Sequence, residues 1–156
     1  MNIANYTLTL DPYTFYYDPS ISKYEPAVTL GSLRQNTDFS VAYSNNTEPG
    51  TGTVTVTGIN NYTGTKSTTF TIVRLTLASY TLVVEEPTLI YNKKARTPKC
   101  SIKNLTEGVD YKLDFYNNID PGTATVVATG INKYSGQISS FSFHITVWWW
   151  TFAVIK

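Results

Sequence analysis

Cysteine is almost missing from this chain, with Cys100 alone among 156 residues. One thiol makes no intramolecular disulfide, so no buried bridge of the antibody kind is available and the fold must hold by packing. Histidine is as scarce. His144 alone rules out paired-histidine metal sites, and any Ser-His-Asp or Cys-His arrangement would depend on that single ring. Charged residues make up only 15% of the chain, and 12 Lys and Arg stand against 11 Asp and Glu. Without a field of one sign, nucleic acid and anionic membrane are poor partners. No apolar run approaches the roughly 20 residues that cross a bilayer, and the longest covers only 147–155, so no membrane span is expected. The chain starts without a basic n-region or an apolar h-region, and the expectation is a protein folded in the cytoplasm of a host, with Met1 and the aromatic end as its true ends. Gly-rich phosphate loops and carboxylate pairs spaced for acid–base work are also missing, so neither an enzyme nor a cofactor is expected.

What is present points to strands. Tyr (12), Phe (7), Trp (3) and abundant Thr favour pleated, half-buried backbone, while helix-supporting Ala, Leu, Met and Glu are few. The class is all-β. Laid over itself at an offset of about 72 residues, the chain pairs Asp38-Phe39 with Asp110-Tyr111 and Asn45-Asn46 with Asn117-Asn118. Pro49-Gly50-Thr51 then falls on Pro121-Gly122-Thr123, Gly58-Ile59-Asn60 on Gly130-Ile131-Asn132, and Tyr62-Thr63-Gly64 on Tyr134-Ser135-Gly136. Small slips, assigned to loops, bring Tyr6-Thr7-Leu8 onto Tyr80-Thr81-Leu82 and Phe70-Thr71-Ile72 onto Phe143-His144-Ile145. Nearly the whole chain is two copies of one unit, expected as modules over 1–73 and 74–147 with a tail over 148–156, and with a short linker around Val73 to Ser79.

Positions that keep apolar character in both copies mark the inward faces. Phe39, Val41 and Tyr43 answer Tyr111, Leu113 and Phe115 with period two; Val54 and Val56 answer Val126 and Ala128; Val28 answers Cys100. Pro49-Gly50 and Pro121-Gly122 read as type II turns. The string Thr37-Asp38-Phe39-Ser40-Val41-Ala42-Tyr43-Ser44-Asn45-Asn46, with Pro49-Gly50-Thr51, Gly58-Ile59-Asn60-Asn61-Tyr62-Thr63-Gly64 and Phe70-Thr71-Ile72, resembles the tandem bacterial Ig-like repeat. That family supplies stalk modules of bacterial surface proteins and accessory modules of phage virion proteins. The resemblance implies two tandem immunoglobulin-like β-sandwich modules, a display or adhesion role, and no catalytic residues to transfer.

Individual residues read as structural. His144 is placed outward, with Phe141, Phe143 and Ile145 inward; Cys100 is a buried small hydrophobe; Asp38 and Asp110 cap turn amides. Lys93-Lys94-Ala95-Arg96, opposite Ser20-Ile21-Ser22-Lys23, reads as a solvated loop. Tyr16, Tyr17 and Tyr24, if exposed, would stack on sugars, so a surface glycan enters as a partner of the carbohydrate-binding alternative. The segment after Ile145 is surplus to the repeat. Trp148, Trp149, Trp150 and Phe152 are therefore the expected partner-binding residues, since consecutive indoles without a core of their own suit an interface; the alternative is that this segment folds back as a last strand against the second module or the junction between modules. The functional expectation is a phage virion component, a capsid decoration or head-fibre protein docked on the major capsid or another virion protein. Its alternative is a stalk module at a bacterial cell surface.

Overall fold

The computed structural model describes residues 1–148, apart from the side chains of Ser139 and Ser140. The chain is all-β and divides into two compact units, Met1–Leu75 and Thr76–Lys156. In the first unit, β1 (Leu8–Asp11) pairs antiparallel with β3 (Ala27–Leu30). A four-stranded sheet runs β2 (Thr14–Tyr16), β6 (Thr65–Val73), β5 (Gly50–Gly58), β4 (Phe39–Ser44), with β2 parallel to β6 and the other pairs antiparallel. Leu10 and Leu30 of the small sheet share one buried cluster with Phe39, Val54, Val56, Phe70 and Ile72 of the large one. That shared core makes the unit a β-sandwich.

The two-residue β7 (Leu75–Thr76) lies at the boundary, and the second unit then uses the same plan. Here β8 (Leu82–Val84) pairs with β10 (Cys100–Ile102), and β11 (Tyr111–Tyr116), β12 (Gly122–Gly130), β14 (Gln137–Thr146) and β9 (Thr88–Ile90) form the larger sheet. β13 (Tyr134–Ser135) is a two-residue strand before β14. β9 is parallel to β14, as β2 is to β6. Each unit begins with a one-turn 3-10 segment, Ile3–Asn5 or Leu77–Ser79, capped by Asn2 or Thr76, whose side-chain oxygen accepts from the amide two residues on. Ile3 and Leu77 are buried there; the boundary between the units falls within Val73 to Ser79, between Leu75 and Thr76, while Val73 ends β6 and Leu77 is a core residue.

Other expectations are corrected by register. The extra residue that shifts Phe70 onto Phe143 is not in a loop but is a bulge inside the β12/β14 ladder, where Val126 faces Phe141 and Ala128 faces Ile138. Phe141 shares the face of buried Val126 yet stays 39% exposed. β9 pairs with β14 only from His144 to Thr146, so among the described residues no strand pairs with β14 on that side beside Phe141. Gly50 and Gly122 take positive φ, at 147° and 141°, but lie far from the roughly +80° of a type II turn. They open β5 and β12 in extended backbone instead.

Tyr24 is corrected from an exposed sugar platform to a core residue. It is 2% exposed, packs against Phe15 and Tyr17, and its hydroxyl donates to the Asp18 carbonyl at 3.0 Å. Its amide donates to the Asn46 carbonyl at 2.8 Å, and in the second unit the Arg96 amide donates to Asn118 at 2.7 Å. Arg96 therefore answers Tyr24 rather than Lys23, one residue off the sequence alignment. Lys93 and Lys94 are exposed, but Arg96 is half-buried and its Nε is shut off from water without a hydrogen-bond partner. The core responds. Where the first unit has one cluster, the described residues of the second form two, around Val126 and around Phe143, with half-buried Val84 and Phe115 packed against both. A buried donor without a partner costs about 1–3 kcal/mol, so Arg96→Tyr is expected to stabilise the second unit by about 1 kcal/mol, read as a higher denaturation midpoint; an unchanged or lower midpoint contradicts this account.

Candidate functional site

The acidic residues common to both copies serve their own turns. Asp38 Oδ2 accepts from the Arg34 amide and Asp110 Oδ2 from the Thr106 amide, both at 2.8 Å. Their carbonyls accept the amides of Ile59 and Ile131 at 3.0 Å. Asn60 and Asn132, left-handed at φ 55° and 52°, donate through Nδ2 to the carbonyls of Thr37 and Val109. A Cβ at Gly58 or Gly130 would fall 2.8 or 2.9 Å from the amide nitrogen of Thr63 or Ser135, so glycine is required where the chain doubles back. The Asp and Gly-Ile-Asn pieces of the repeat thus clasp the start of β4 or β11 to the end of β5 or β12. Among the described residues no three His, Cys, Asp or Glu side chains converge as a metal site would need.

Matching concavities lie in the loops after β4 and β11, about 380 Å³ along Asn45–Thr51 and about 430 Å³ along Asn117–Thr123. Each holds a single carboxylate, Glu48 or Asp120, too few oxygens for a hard cation. His144 is exposed, opposite Thr123, with Nδ1 3.4 Å from the Thr123 hydroxyl. Cys100 is 9% exposed, its Sγ donates to the Pro98 carbonyl at 3.4 Å, and burial first, then Glu107 and Glu85, pushes the thiol pKa up. A thiol held protonated and 9% exposed is no nucleophile. Cys100→Val is expected to lose less than about 1.5 kcal/mol, whereas Cys100→Asp unfolds the second unit. A bulky maleimide should label the native thiol only on unfolding; rapid native labelling contradicts the burial.

Of the aromatic residues proposed for sugars, Tyr16 is 65% exposed, and Tyr17 is half-buried with the Arg74 guanidinium 5.0 Å from its ring centroid. Two tyrosine pairs recur at equivalent places. Tyr6 and Tyr62 meet edge-on with centroids 6.0 Å apart, Tyr80 and Tyr134 with centroids 5.7 Å apart and hydroxyls at 3.5 Å. The Tyr134 phenol is pushed up to about 12, chiefly by its hydrogen bond with Tyr80 and then by burial. A raised folded-state value favours the neutral phenol, so its contribution is complete below about 10 and is lost as pH rises from about 10 to about 12. Tyr80→Phe should bring the Tyr134 titration, followed by ultraviolet absorbance, back toward that of a free phenol and flatten the fall of melting temperature in this window. An unchanged titration contradicts the coupling.

The C-terminal end is where the two copies part. β14 closes at Thr146, after which Val147 is 39% and Trp148 69% exposed. Trp149, Trp150 and Phe152 lie outside the described residues. Exposed Ile90 and Ile119 lie on the same unit and were not singled out from sequence, although comparing the copies offers a signal, since they answer Tyr16 and Thr47. Among the described residues no helix is long and apolar enough to cross a membrane. The chain matches no family model, no curated protein and no solved structure. Its fold and geometry define an all-β sandwich chain whose repeated polar residues bind its own backbone.

Proposed function

We propose that this chain is a non-enzymatic structural protein that displays two Ig-like modules on a larger particle and is held there by its C-terminal segment. The observation that carries the reading is Trp148, 69% exposed just past a completed β14. A large indole in water is costly for a soluble surface and characteristic of an interface anchor, and Trp149, Trp150 and Phe152 continue the same chemistry in sequence. The division of the first extended segment supports the Ig-like reading: β1 joins the small sheet and β2 runs parallel to β6 in the large one. The resemblance of the repeat to accessory modules of phage virion proteins supports a virion as the particle, with the major capsid or a neighbouring virion protein as partner. Tandem repetition also suits a stalk at a bacterial cell surface, the second reading.

A chain ending at Thr146 tests the first. It is expected to keep the wild-type melting temperature, because β14 is intact, and to stop copurifying with particles in a fixed ratio to the major capsid protein. Truncated protein that unfolds, or that copurifies as before, sinks the proposal.

A further inference from the structure

The large sheet of the first unit ends on β4, and beyond a single bridge from Gln35 to Phe39 no described strand pairs with that side. Which groups point outward follows from the turns at its start. The Asp38 carbonyl accepts the Ile59 amide across the sheet, whereas the Phe39 carbonyl accepts the Asn36 amide on the outer side. Backbone direction alternates along a strand, so Ser40, Ala42 and Ser44 bond β5 while Val41 and Tyr43 turn both N–H and C=O outward. β11 has the same edge: the Asp110 carbonyl accepts from Ile131 and the Tyr111 carbonyl from Gly108, which leaves Leu113 and Phe115 outward. An open edge is a template for another strand, and proteins blunt such edges with charge. β11 carries Lys112 and Asp114, ion-paired at 3.0 Å. β4 is uncharged, with Ser40 and exposed Ala42 at the equivalent positions. The next two strands are uncharged on that face too, from the pair Thr53 and Thr69 to the pair Thr57 and Thr65.

We propose that β4 pairs with β4 of a second copy of this chain, antiparallel about a twofold axis at Ala42. In that register Val41 lies opposite Tyr43 of the second copy and Tyr43 opposite its Val41, and each pair exchanges two hydrogen bonds. The outward groups of Val41 and Tyr43 are then satisfied on both copies, and their half-buried side chains continue the apolar inner face from one copy into the other. Ala42 meets Ala42 as a non-hydrogen-bonded pair, where Cα atoms come closest, about 4.5 Å apart, and a methyl group fits. Ser40 lies beside Ser44. The same register on β11 would set Asp114 against Asp114 in that closest pair, so like charges oppose it. One edge is thus self-complementary and the other is closed to its own kind. A contact of six residues a side is small, so the dimer is weak and depends on concentration.

Sedimentation of the full chain at rising concentration is the first test. Wild type should pass from monomer to dimer, and a chain that stays monomeric at millimolar concentration overturns the proposal. Ala42→Asp, which gives β4 the charge that β11 has, should weaken the dimer at least about tenfold while keeping the melting temperature of the dilute monomer. A dimer that Ala42→Asp leaves intact lies on another surface and overturns it. Register is read separately by disulfide capture in a Cys100→Val background. Ala42→Cys should link two copies on mild oxidation, since the closest pair suits a disulfide; Ser40→Cys, roughly 14 Å from its own counterpart, should link only when mixed with Ser44→Cys. Absence of capture at position 42, or equal capture of Ser40→Cys with itself, overturns the pairing even if Ala42→Asp fails to fold.

Discussion

Alternate side chains of one central strand hold each unit together. Val54 and Val56 on β5, and Ala124, Val126 and Ala128 on β12, are fully buried, with the intervening residues facing the other way. Without a disulfide, the two sheets of a unit of this size depend on that interdigitation. A slip of one residue would turn every one of these side chains to water. Register is therefore what the rest of the molecule protects. The Asp38 and Asp110 caps, the left-handed Asn60 and Asn132 and the close approach at Gly58 and Gly130 all act at the ends of the ladder that fixes it.

That dependence explains why the residues repeated between copies are poor guides to activity. An Asp or a Gly-Ile-Asn string that recurs at one spacing invites a ligand reading, yet the Asp38 and Asp110 carboxylates and the Asn60 and Asn132 amides all bond nearby backbone. The lone thiol and the lone imidazole follow the same logic: one is packed away and held protonated, the other faces outward across from a threonine.

The unshared positions show how much one backbone tolerates. Lys66 and Ile138 face equivalent partners, Val56 and Ala128; the lysine ammonium reaches the Tyr6 carbonyl at 2.7 Å, whereas the isoleucine packs into the core. Tyr24 fills the first core, whereas half-buried Arg96 holds an Nε without a hydrogen-bond partner at the equivalent place. Thr68 and Phe141 occupy the same open stretch of strand, and there a ring is left partly in water. These exchanges change stability. The exchange at the C-terminal end of the second unit, where Arg74 and Leu75 give way to Val147 and Trp148, instead falls on exposed positions.

From sequence alone, period-two alternation and the internal repeat determined the all-β class, most of the buried strand residues, the outward His144, the buried Cys100 and the capping role of Asp38 and Asp110. These depend on local backbone geometry, which residue spacing encodes directly. Tertiary structure alone decided the bulge in β14, the burial of Tyr24, the half-burial of Arg96 and the 3-10 turns at Ile3 and Leu77. Each of these turns on which strand or loop lies across from a residue. Phe141 makes the difference plain: its spacing from Phe143 puts both rings on one face, but Phe143 packs into a cluster with Leu89, Ala124, Ile145 and Phe115 while Phe141 stays 39% exposed.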